Sequence, residues 1–188
     1  MRIAFIIYNG MTTLDFIGIH DPLIRLKTMG FLPDIEWGTC ALTEEVSDIN
    51  DLHIFPNQIG GSLSNFDVLI VPGGLGSRKL IKDSEFLEWI KTAEKSKLKI
   101  SVCTGSLILG AAGFLRGKRA TTHPIAYNIL ANYCQSVEHK RIVDDKDVIT
   151  AGGVTSSIDL GLYLCEKLVN KEAKNTIKNQ MDYPYIHR

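Results

Sequence analysis

Continuous apolar runs and helix-spaced apolar positions alternate along this chain. Arg2 to Tyr8 (RIAFIIY) shows no apolar–polar alternation, so it reads as a strand buried on both faces, which favours a parallel sheet. Asn9-Gly10 is a turn signal. Leu23, Leu26 and Met29 share a helix face, and Gly30 suits the stop. Proline is tolerated in a first helical turn, so Pro22 predicts an irregular lead over Leu14 to Asp21. Asp34 to Leu42 reads as a second strand, and Leu52 to Pro56 as an edge strand or hairpin arm. Asp67 to Val71 is another buried strand, running into Pro72-Gly73-Gly74-Leu75-Gly76. Asp83 or Ser84 is expected to cap a helix from about Glu85 to Lys95. After a basic turn, Arg116 to Arg119, a helix is expected over Pro124 to Tyr133. Val137 to Val143 and Val148 to Ala151 flank Asp144-Asp145-Lys146 as a hairpin. Val154 to Val169 reads as an apolar helix, and about Lys171 to Met181 as a polar one.

Strands alternating with helices imply an α/β domain with a mostly parallel sheet. No repeat, low-complexity tract or linker interrupts the 188 residues, so one domain, 1–188, is expected.

One junction stands out. The β-rich run Lys99-Ile100-Ser101-Val102 meets Cys103 and passes at once into the helix-like Thr104-Gly105-Ser106-Leu107-Ile108-Leu109-Gly110. A strand breaking straight into a helix makes a nucleophile elbow, which pushes the residue at the break out of the sheet's carboxyl edge. A helix N-terminus favours an anion, so the Cys103 thiolate, the reactive form, is expected to be favoured. A small buried cysteine at a strand end is the plainer alternative.

Charge narrows the partners. Lys+Arg and Asp+Glu both number 21, whereas a nucleic-acid surface needs a basic excess. With no helix-turn-helix after the domain, DNA-binding regulation is not expected. No run reaches membrane-spanning length and the N-terminus lacks a signal peptide's core, so a cytoplasmic protein with free thiols is expected. The four cysteines, at 40, 103, 134 and 165, show no metal-ligand spacing. Neither a metal nor a cofactor is expected; the partner would be a small-molecule substrate.

Ligands of open α/β sheets bind at the carboxyl ends of strands. Three such ends are Tyr8-Asn9-Gly10, Pro72-Gly73-Gly74 and Cys103-Thr104. Gly73 and Gly74 with the Thr104 amide could form an oxyanion hole beside Cys103; a plain tight turn is the alternative. Asp15 and Asp21 follow the first strand and could move a proton. Each could equally be a cap or a solvated carboxylate. His123 is a candidate base or a structural histidine. Thr121-Thr122-His123 and the turn holding Gly153 and Val154 could line the same pocket. Ser106 is a weaker nucleophile candidate.

The segments Val71-Pro72-Gly73-Gly74, Ser101 to Ser106, Leu109 to Leu115, Arg119 to His123 and Thr150 to Leu160, in that order, resemble the ThiJ/PfpI superfamily, of class I glutamine-amidotransferase-like fold. Thr12, Leu14-Asp15-Phe16, Gly18 and Asp21 resemble its isonitrile hydratase branch. The resemblance runs to Asp182-Tyr183-Pro184. It implies a flavodoxin-like three-layer α/β/α sandwich, a homodimer, and Cys103 as nucleophile. It also implies Asp15 and Thr104 as its assistants and the Gly74 backbone at the oxyanion site. Three positions depart from the branch: Asp21 stands where glutamate is usual, Ile19 where proline is common and Pro124 where tryptophan is usual. Thr104 replaces the histidine of the protease-like branch. The implied function is a cysteine-dependent hydratase or hydrolase, isonitrile hydratase-like. Glyoxalase- or amidase-like chemistry, or redox sensing or ligand binding through Cys103, are the alternatives.

Overall fold

The N-terminal apolar run forms β1 (Arg2–Ile6), whose Ile3 to Ile6 are wholly buried, as a strand covered on both faces must be. The chain then forms α1 (Thr13–Thr28), β2 (Glu36–Ala41), β3 (Val46–Ser47), β4 (His53–Ile54) and β5 (Gln58–Ile59). β6 (Val68–Val71), α2 (Ser77–Leu80), α3 (Ser84–Lys91), β7 (Leu98–Val102) and α4 (Gly105–Ala111) follow. The rest comprises β8 (Arg119–Ala120), α5 (Tyr127–Leu130), β9 (Ser136–Val137), β10 (Ile142–Asp145), β11 (Val148–Ala151), α6 (Ser156–Leu168) and α7 (Lys171–Gln180). This computed structural model describes residues 1–184.

Seven strands form one sheet in the order β10-β11-β7-β6-β1-β2-β5. All neighbours are parallel except the β10–β11 hairpin. Helices α1, α6 and α7 pack on one another, and α2 and α5 pack on α4; the sheet lies between two helical layers. This is the expected flavodoxin-like three-layer sandwich. From β1 the chain steps outward to β2, then crosses β1 to reach β6, β7 and β11 on its other side. The winding therefore reverses between β1 and β6, a switch point of the kind where doubly wound sheets open a crevice.

The irregular lead over Leu14 to Asp21 is not there: α1 is continuous and Pro22 lies inside it. An interior proline costs a helix about 3 kcal/mol, and tertiary contact outweighs that cost. A Cβ on Gly18 would stand 2.0 Å from Ser157 Oγ, and one on Gly161 would stand 2.8 Å from Pro22 Cγ. Thus α1 and α6 cross with their backbones nearly touching, and Pro22, buried, is the surface α6 packs on.

Other departures are shorter. The helix expected over Pro124 to Tyr133 is a 3₁₀ turn, Pro124–Ala126, followed by α5. The first hairpin arm begins at Ile142, because Ser136–Val137 pairs with β8 instead. The helix begun at Ser84 stops at Lys91; Asp83 is its cap, accepting from Phe86 N–H at 3.0 Å. Two-residue strands such as β3 and β5, and the four-residue α2, are too short to show a period. No helix among the described residues is long and apolar enough to cross a membrane.

Candidate active site

Cys103 follows β7 directly and has φ = 53°. A non-glycine residue in the left-handed region is strained by about 1–3 kcal/mol and persists only where its surroundings hold it. Three bonds do so here. Its N–H donates to Ala151 O at 3.0 Å, and its carbonyl accepts from Ser106 Oγ at 3.1 Å and Thr122 Oγ1 at 2.9 Å. Ser106 and Thr122 thus support the elbow.

Asp15 reaches the elbow from the first turn of α1 and has no solvent-exposed surface. Its Oδ2 accepts from Gly73 N–H at 2.9 Å. Its Oδ1 meets no N–H or O–H donor, and the carboxyl group also interacts with the Cys103 thiol. Gly73 sits in the angle between them. A Cβ there would lie 2.6 Å from Thr104 N, 2.7 Å from Cys103 Cβ and 2.8 Å from Asp15 Oδ2. Glycine is required because the acid and the cysteine close on the backbone itself.

The two ionisations follow from this enclosure. Burial raises the Asp15 carboxyl from its ordinary 3.8 to about 7, against the stabilising pull of Gly73 N–H and the thiol. Burial, then the Asp15 charge, pushes the Cys103 thiol up to about 12, with the Thr104 amide and hydroxyl acting the other way. The expected favoured thiolate is therefore corrected. The elbow's dipole is outweighed by desolvation and a like charge, and both groups are pushed toward their protonated forms.

The oxyanion expectation meets a second constraint. Gly74 N–H donates to Thr104 Oγ1 at 3.0 Å, and Gly73 N–H is held by Asp15. Both amides are engaged at rest. Thr104 Oγ1 also contacts Gly74 O at 3.1 Å and Ser77 Oγ at 3.0 Å, so it is the centre of a buried polar knot.

Asp21 is engaged elsewhere. Six residues beyond Asp15 on the same helix, half-buried, it accepts from Arg25 Nε at 2.8 Å. His123 caps the 3₁₀ turn, its Nδ1 accepting from Ile125 N–H at 3.3 Å. A Cβ on Gly153 would stand 3.7 Å from His123 Cδ2, so the 121–124 and 152–154 turns do meet beside the elbow. Val154 is half-buried against the core. Sequence reasoning missed Tyr8. Its hydroxyl, buried, donates to Pro72 O at 2.7 Å, and its acidity is suppressed by burial, Asp15 and Cys103. The signal was available: a phenol closing a wholly buried strand needs a polar partner at the sheet's edge. No group of three potential metal-binding side chains occurs among the described residues.

Comparison with known proteins identifies the family. Residues 1–167 match the DJ-1/PfpI family model. The isonitrile hydratase of Pseudomonas putida is 33% identical over 188 residues, covering 97% of this chain and 78% of that protein. A ThiJ/PfpI family protein from Pseudomonas syringae superposes with a TM-score of 0.90 at 31% identity, over 99% of this chain and 76% of that one. DJ-1beta of Drosophila melanogaster gives 0.84 at 25% identity, with 98% of each chain covered. By sequence, architecture and the elbow that both predict, the chain belongs to the DJ-1/PfpI family.

Proposed function

We propose that this protein is a cysteine-dependent hydratase that converts an isonitrile and water to an N-substituted formamide. The observation that carries the reading is the buried Asp15–Cys103 pair, whose carboxyl group is raised to about 7. An isonitrile carbon needs both a nucleophile and a proton, and an acid of that strength holds or releases its proton near neutrality. Asp15 takes the thiol proton as Cys103 Sγ bonds to the terminal carbon, then delivers that proton to the same carbon. The product is a thioimidate, R–N=CH–S–Cys103. Water adds to its carbon while the nitrogen gains a proton. The C–S bond then breaks, the thiol recovers its proton, and R–NH–CHO leaves. Thr104 positions Gly74, and Gly73 orients the acid. The named activity of the Pseudomonas putida relative supports this reading.

Amidase-like chemistry would call for a histidine–thiolate pair, and His123 faces its own cap instead. A redox sensor relies on an accessible, low-pKa thiol, the opposite of Cys103. Leu14 and Ile17, 46% and 42% exposed on the helix that carries Asp15, support a homodimer with the site near its interface. A panel of isonitriles, methylglyoxal and amides, assayed with wild type and Cys103→Ser, tests the function. Formamide production lost in the variant is the expected result; turnover of methylglyoxal or amides alone would overturn it.

A further inference from the structure

A cavity of about 630 Å³ opens at the carboxyl edge of the sheet, lined from the ends of β1, β2 and β6 and closed by α2 and Phe86 of α3. It sits where the winding reverses, the position at which doubly wound sheets take ligands. Cys103 and Asp15 do not line it. Its walls are mainly apolar: Leu42, Ile49, Leu80, Phe86 and Tyr8, the rings of the last two meeting edge-to-face with centroids 6.1 Å apart. Such a lining with few polar groups is the usual make-up of a small-molecule site.

Two charges stand in the wall. Asp83 is committed, its Oδ1 capping α3. Lys79, on α2, has no ion pair among the described residues. Arg78, the next residue back, adds positive charge close enough to act on the Tyr8 hydroxyl. One unpaired cation above an apolar chamber suits one anionic head on an apolar body, while Asp83 opposes a dianion.

We propose that this cavity is a second ligand site, taking a small apolar molecule with a single anionic group that pairs with Lys79. Tyr8 is the partition between the two sites. It lines the cavity, its ring meets Phe86 of the same wall, and its hydroxyl holds Pro72, the residue before Gly73. Occupancy is therefore felt at the Asp15–Cys103 pair through one side chain.

The proposal is independent of the reaction assigned above, so the test uses Cys103→Ser as well as wild type. Octanoate and octanol are titrated against labelled protein and followed by amide NMR shifts. Octanoate should give saturable shifts at Tyr8, Gly10, Gly76 and Leu80 in both proteins. Lys79→Gln, a change at an exposed side chain, should weaken octanoate about threefold or more, the scale of an exposed ion pair, and leave octanol within about twofold. Absence of saturable shifts at those amides, shifts confined to Cys103 and Thr104, or equal weakening of both probes by Lys79→Gln would each overturn the proposal.

Discussion

Asp15→Asn should stabilise the protein at alkaline pH while sharply lowering its turnover. The buried carboxyl group titrates near 7 in the folded chain against an ordinary 3.8. A raised carboxyl pKa means that the fold prefers the protonated form. Wild-type stability should therefore fall as pH rises from about 4 to about 7, and be flat on either side. A displacement of about three units at 1.36 kcal/mol each gives about 4 kcal/mol as the full span. Asparagine has nearly the shape of the protonated acid, can accept from Gly73 N–H and never ionises. At pH 5 the variant should match wild type to within about 1–2 kcal/mol, and by pH 8 it should exceed it by about 2–4 kcal/mol. In thermal unfolding that is about 5–15 °C for a chain of this size. Turnover should drop by about 10²-fold or more, the scale of general acid–base catalysis. Urea titrations at the two pH values, beside the isonitrile assay, measure both. A variant equally destabilised at pH 5 and pH 8, or one that keeps near-normal turnover, would show that Asp15 is a structural residue and refute the reasoning.

Four further outcomes are expected. Cys103 should alkylate with iodoacetamide at pH 7 more slowly than half-buried Cys134, because its thiol is buried and raised to about 12; mass-spectrometric labelling that favours Cys103 would contradict this. His123→Asn should keep turnover within about tenfold of wild type, well short of a general base's contribution, since the ring serves a cap; a dead, folded variant would revive the cysteine–histidine reading. Gly73→Ala should lose turnover and stability together, because its Cβ meets three groups at 2.6–2.8 Å; circular dichroism and the assay check both. Light scattering at micromolar concentration should give a dimer, and a monomer mass would count against covering Leu14 and Ile17 with a second copy.

The elbow was legible because it needs only local information: a β-branched run, one cysteine and a string of small residues, all contiguous. The central strands were legible because burial on both faces leaves an unbroken apolar run. What failed was whatever a distant segment decides. Pro22 looks like a helix start until α6 is laid across it. The acidity of Cys103 looks like a dipole effect until burial and Asp15, 88 positions away in the chain, are added. Gly73 and Gly74 look like free donors until Asp15 and Thr104 are seen to hold them. Tyr8 was passed over because the run it ends is explained by packing alone.

The crossing of α1 on α6 bears on how substrate preference can drift. Asp15 stands one turn before Gly18 on a rigid helix, and that helix is seated by backbone contact with Ser157 and Gly161. A methyl group at Gly18 touches no substrate, yet it would force the helices apart and carry the acid away from the sulfur. A misplacement of about 1 Å can cost about 100-fold in rate. The gap between acid and nucleophile is thus a dimension set one helical turn away, where α1 meets α6. Descendants of this chain can retune it there, with paired changes at 18 and 157, without altering any residue that meets the ligand.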